Sequence, residues 1–163
     1  MGKKMSREGL RVAKEISSRL PAFSSQREAR SQLLARRDER LTKFYALSSR
    51  ATDFRADSTP ESLKKMEAWY FSLVDADGFR VIGATREEFE DCMATYFCHV
   101  VAVTHSDAAW TVEESPFAPG HYQIGIRRGL CTWAGSLRDH YRAPANKNHT
   151  RIFREYQKYF GRD

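Results

Sequence analysis

No two cysteines lie close together in this chain. Cys92, Cys98 and Cys131 are odd in number and well separated, which argues against a disulfide framework and for a reducing compartment. No apolar run approaches the roughly 20 residues that a membrane-spanning helix needs. The basic start, Met1 to Glu8, is not followed by the apolar segment of a secretory signal. Glu8 and Glu15 also break the acid-poor pattern of a mitochondrial transit peptide. A cytoplasmic protein without membrane contact is expected. Glycine is sparse, and Gly78, Gly83, Gly120, Gly125 and Gly129 match neither phosphate-binding fingerprint. Repeats and low-complexity tracts are absent.

What is present is charge, unevenly placed. The net charge of the 163 residues is +6. Residues 1–50 hold 13 Lys/Arg against 5 Asp/Glu, or +8, and the remainder 14 against 16, or −2. A basic third on a mildly acidic body raises the odds of a polyanionic partner. Equally, the basic part can lie against the acidic body of the same chain or of a second copy. A length of 163 residues and an aromatic content of 12% fit one packed domain.

Met5, Val12, Ala13, Ile16 and Leu20 recur at helical spacing, and Pro21 stops that helix. Ser24 and Ser25 are possible caps for a long helix over 26–50, with Glu28 placed for a capping box. Together these two helices are expected to form a basic hairpin over 1–50, an arm of the same domain. The core, an α+β unit, is expected over 58–163. There Thr59 caps a helix with Pro60 at its first position, and Leu63, Met66, Trp69, Tyr70 and Leu73 form its stripe. Thr85 and Glu88 form the best capping box in the chain, ahead of a stripe of Phe89, Cys92, Met93, Tyr96, Phe97 and Val100. Beyond residue 100 the period changes to two. Strands are expected over 110–113, 121–127 and 130–134, with turns at 115–120 and at Arg128-Gly129. Helical patterns return over 137–142 and 149–160. The fold class is therefore α+β: a basic helical hairpin, two core helices, a short antiparallel meander and a C-terminal helix.

Residues 60 to 160 resemble a loose group of uncharacterised bacterial domains of the toxin-immunity and accessory type. The likeness rests on Tyr96-Phe97 closing an amphipathic helix, Trp110 in a strand, the run Gly120-His121-Tyr122-Gln123-Ile124, and the closing helix Tyr156 to Phe160. The chain departs from the group at Cys98-His99, where members often carry Gly-Glu. The resemblance omits the basic arm. It implies a binding protein, not an enzyme.

Each candidate for chemistry has a plainer structural reading beside it. Cys98, His99, His105 and Cys131 are metal-ligand types, but adjacent Cys98 and His99 point in different directions, so no metal site is expected. Cys131 with His99 or His140 can be drawn as a nucleophile pair, yet nothing local activates the thiol. Glu87-Glu88 and Glu90-Asp91 fall at a helix N-terminus, where they offset the dipole. Glu113, His121 and Cys131 form a site only if they converge within hydrogen-bond reach. The strongest lead is basic: Arg27, Arg30, Arg36, Arg37, Arg40 and Lys43 can meet phosphates or an acidic partner. Asp38 and Glu39 interrupt that run, and it has few aromatics for base stacking. Trp69, Tyr70, Tyr156 and Tyr159 are candidate interface aromatics. Because Trp69-Tyr70-Phe71 are consecutive, one helix face cannot bury all three, and the arm is expected to cover one. The reading is a non-enzymatic cytosolic protein without cofactor, binding a protein partner in an immunity-like way. The alternative is nucleic-acid association through residues 1–50.

Overall fold

A computed structural model describes residues 5–134, 137, 141 and 150–161. The order of elements is α1 (Arg7–Ser18), α2 (Gln26–Ser48), α3 (Pro60–Asp75), α4 (Arg86–Thr104), β1 (Ala108–Glu114), β2 (Tyr122–Arg128), β3 (Cys131–Trp133) and α5 (Arg151–Tyr159). The architecture is α+β, as the patterning implies. The expected helix over 137–142 lies outside the described residues except for Leu137 and Tyr141, both buried.

Local chemistry sets most helix starts. Ser6 Oγ accepts from the Gly9 amide, Ser25 Oγ from that of Glu28 and Thr59 Oγ1 from that of Ser62. At α4 the reciprocal box closes: Thr85 Oγ1 accepts from the Glu88 amide, and the Glu88 carboxylate accepts from the Thr85 amide at 2.9 Å. At α2 the box slips by one residue, since the Glu28 carboxylate takes the Ser24 amide and hydroxyl. α5 is the exception. Thr150 gives no side-chain cap, and the Ile152 amide donates to the Glu67 carboxylate of α3 at 3.2 Å.

The strands form an antiparallel sheet in the order β1-β2-β3. Trp110 stands opposite Ile126, and Ile126 opposite Trp133, so these three share the helix-facing side with Val112 and Ile124. On the other side Arg127 pairs with Glu113. Gly125 is obligatory there, because an added Cβ would lie 2.5 Å from the Trp133 carbonyl oxygen.

The main core is built from Phe44 and Leu47 of α2, Leu63, Met66 and Tyr70 of α3, much of α4, Ile126 of β2, and Ile152, Phe153 and Tyr156 of α5. Phe44 is fully buried and touches four rings, those of Phe54, Trp69, Phe89 and Tyr96. A smaller cluster joins Ala29 and Leu33 of α2 to Val112 and Tyr122 of the sheet. α2 is thus fixed at both ends.

α1 is attached differently. The stretch after it is pinned to the turn before β2: His121 Nδ1 meets the Leu20 carbonyl at 2.6 Å, the Tyr122 amide donates to Pro21 at 3.0 Å, and the Phe23 amide to Gly120 at 3.0 Å. Ser17 is buried, and Gly9 and Ala13 are half-buried. These small residues, at i, i+4 and i+8, mark its inward side. Met5, Leu10, Val12 and Ile16 are exposed.

Candidate binding site

The basic residues of α2 divide by direction. Arg40 reaches Asp91 on α4 at 3.1 Å, and Lys43 reaches Glu88 at 3.2 Å. Arg37 lies over the Trp110 ring, 5.1 Å from its centroid, and contacts Asp38. The acids of the first turns of α4 therefore answer to α2 as well as to their own helix dipole. Backbone donation from Thr85, then Lys43, holds the Glu88 carboxyl below the usual carboxylate range. Arg36 lies over the Phe23 ring at 5.8 Å. Arg27, Arg30 and Arg36 are exposed and form no ion pair among the described residues.

Above this seam opens a groove of about 440 Å³, within the range of ligand-sized clefts. Ile16, Leu20 and Pro21 form one wall. Leu33, Arg36 and Arg40 of α2 line another side, with Ala94 and Cys98 of α4. Trp110, Tyr122 and Ile124 of the sheet complete it, and Glu87 and Asp91 stand at one edge. Apolar surface bordered by charges of both signs, with Arg40 already tied to Asp91, suits an apolar partner with a polar rim.

The other candidates are built into the fold. Of the four expected interface aromatics, Tyr70 and Tyr156 are core residues rather than surface ones. Trp69 is half-buried against Phe44, Phe54 and Phe89, with α2 supplying part of the cover. Tyr159 is exposed. Glu113, His121 and Cys131 do not converge. Glu113 sits opposite Gln123, whereas Cys131 sits opposite Arg128 at the far end of β2. The two ends are roughly 17 Å apart at about 3.4 Å per residue. Burial pushes the Cys92 thiol up to about 11 and raises that of Cys98 as well, so neither is a ready thiolate. His99, half-buried near Tyr45 and Tyr96, is held below its usual value by burial and then by Arg37. No cluster of three metal-ligating side chains occurs among the described residues. His140 lies outside them.

Two buried carboxylates escape a reading based on charge alone. Glu67 accepts from Tyr141 Oη at 2.5 Å, besides capping α5. Glu90 accepts from Tyr70 Oη at 2.6 Å and from Arg86 at 3.0 Å. The Tyr70 and Tyr141 rings stack at 4.6 Å, joining the two. Burial raises the Glu67 carboxyl above its ordinary value. A signal for both lay in the pattern, because Glu67 falls between Leu63, Met66 and Tyr70 on one stripe, and Glu90 between Phe89 and Met93 on another.

The family model described as "Uncharacterised protein YwmA" matches residues 22–160. The chain belongs to this family. A relative from Bacillus subtilis (strain 168), itself called uncharacterized protein YwmA, is 33% identical over 75 residues. That match covers 46% of this chain and 48% of the relative, so about half of the relative's length is spanned. No solved structure matches. The YwmA match supports the bacterial-domain part of the resemblance and carries no toxin-immunity assignment. Its span begins at Ala22, so α1 lies outside the matched part while walling the groove.

Proposed function

We propose that the protein is a non-enzymatic binding protein of the cytoplasm that acts on a protein partner through the groove between α1, α2, α4 and the sheet. The observation that carries this reading is the groove's make-up, an aromatic and aliphatic surface edged by Arg36 and by the paired charges of Arg40 and Asp91. An immunity-like role, in which occupancy of the groove blocks the partner, is the form the resemblance of residues 60–160 favours. Nucleic-acid association is supported less. A phosphate-tracking surface needs a run of available cations, and here Arg40 and Lys43 pair with Asp91 and Glu88 while Arg37 pairs with Asp38 and covers Trp110.

The test is affinity capture from source cells with the wild-type chain and with Arg36→Glu, beside a titration with fluorescent RNA and DNA duplexes at about 50 mM salt. The reading expects a protein captured by the wild type and lost with Arg36→Glu, and no duplex binding. Salt-sensitive duplex binding abolished by Arg27→Glu with Arg30→Glu would replace it with the nucleic-acid alternative.

A further inference from the structure

The two buried carboxylates are served unequally. Glu90 meets a cation, the Arg86 guanidinium, at 3.0 Å besides the Tyr70 hydroxyl. Glu67, fully buried, forms no ion pair among the described residues. Its Oε2 takes both donors, Tyr141 Oη at 2.5 Å and the Ile152 amide at 3.2 Å. Its Oε1 is buried and has no hydrogen-bond partner among the described residues. A neutral carboxyl suits this site, with Oε2 as the carbonyl oxygen and the proton on Oε1. An ionised one puts charge on an oxygen that neither water nor a donor reaches, and a buried unpaired charge costs far more than a buried unpaired hydroxyl.

The charges around Glu67 do not offset this cost. On α3, Lys64 lies over the Phe153 ring at 4.1 Å. On α4, Arg86 and Glu90 engage each other and Tyr70. On α5, Arg151 pairs with Glu155 at 3.3 Å, and Glu155 repels a charge on Glu67. Burial, and then Glu67 itself, raises the Tyr141 hydroxyl, so it stays a donor. Burial accordingly raises the Glu67 carboxyl, against the donors Tyr141, Ile152 and Arg151.

α5 depends on this carboxyl for its start. It has no side-chain cap of its own and no acid in its first turn. Its later turns are held separately: Trp133 Nε1 donates to Glu155 at 3.1 Å, His105 Nε2 meets Tyr156 Oη at 2.9 Å, and Arg128 donates to the Phe160 carbonyl at 2.7 Å. The first turn is therefore the part that can leave α3 while the rest stays seated, and its leaving brings water to Glu67 Oε1.

We infer that the first turn of α5 is a pH-gated latch, shut on α3 while Glu67 holds its proton and opened when Glu67 ionises. A proton held more tightly by the shut form than by the open one favours the shut form at low pH. That preference declines as pH rises above the ordinary carboxyl value and is lost once it passes the shut-form value. α5 does not line the groove, so the latch is independent of what the groove binds.

Hydrogen exchange of the full chain from about pH 4 to 8, corrected for the pH dependence of free amides, tests it. Protection over 151–156 should fall with rising pH by up to about tenfold per unit, since one proton is coupled, while α4 keeps its protection. The fall should level off where the side-chain carboxyl NMR signal of Glu67 titrates. Glu67→Gln, neutral at every pH, should hold the α5 protection flat. Flat protection over 151–156 in the wild type overturns the inference. So does an equal fall in Glu67→Gln, which would move the effect to another group such as His105. A fall shared equally by α4 overturns it as well, because the whole domain is then opening. Without any variant, a Glu67 signal that titrates in the ordinary carboxylate range does the same.

Discussion

α1 and α2 are alike in sequence, both basic and helical, and they hold opposite places in the molecule. α2 sends Phe44 and Leu47 into the main core and Leu33 into a second cluster. Its Arg40 and Lys43 neutralise acids of α4. α1 contributes no residue to either core cluster and leaves its larger apolar side chains in solvent. Net charge does not distinguish them. What does is the size of the residues facing the body: aromatic and branched side chains remove far more area from water than Gly9, Ala13 and Ser17.

The sharpest way to break this comparison is to truncate one large side chain in each helix. Phe44→Ala should cost about 3–5 kcal/mol, because it leaves a cavity among four rings. In monomeric protein, Ile16→Ala should stay within about 0.5 kcal/mol. Urea midpoints of the two variants measure this, and similar losses would show that α1 is as integral as α2.

Next in size is Glu67. Glu67→Ala leaves the Tyr141 hydroxyl and the Ile152 amide without their acceptor, at about 1–3 kcal/mol for each group left unpaired. Glu67→Gln keeps an acceptor and should cost much less. The pH dependence follows from the direction of the shift. The folded state holds the Glu67 proton more tightly than the unfolded chain does, since burial raises its carboxyl. This group's contribution is therefore most favourable below the unfolded carboxyl range and declines as pH rises through the folded value. Glu67→Gln should flatten that decline in a series of melts against pH. A decline of the same slope in the Gln variant would assign it elsewhere.

Smaller effects belong to the seam between α2 and α4. Thr85→Ala removes the cap of α4 and should cost about 1 kcal/mol in chemical denaturation. Lys43→Ala loses one partly exposed ion pair, which should register at about 0.5 kcal/mol and shrink with added salt. A salt-independent loss at Lys43 would mean that its stem, not its charge, matters.

The helices and the meander were legible because their signals are local. Thr59-Pro60 and Thr85 with Glu88 mark helix starts by chemistry confined to one turn, and the alternation over 122–126 marks a strand. The division of the α2 arginines was not legible. Whether Arg40 meets Asp91 or solvent depends on how α2 and α4 pack, and spacing along one helix does not contain that. For α1 the period located the apolar stripe but not its direction, since inward and outward stripes have the same period. Glu67 and Glu90 were readable as polar residues on apolar stripes, although their partners Tyr141 and Tyr70 are set by tertiary packing.

The pinning of residues 20–23 to Gly120–Tyr122 bears on the order of folding. It joins positions about a hundred residues apart in the chain, so its loop-closure entropy is among the largest the molecule must overcome. Helices capped by their own first turns can form before any such contact. The wall that Leu20 and Pro21 give the groove cannot stand until the β1–β2 hairpin is in place. A chain emerging from synthesis thus carries its amphipathic N-terminal helix well before the groove beside that helix is complete.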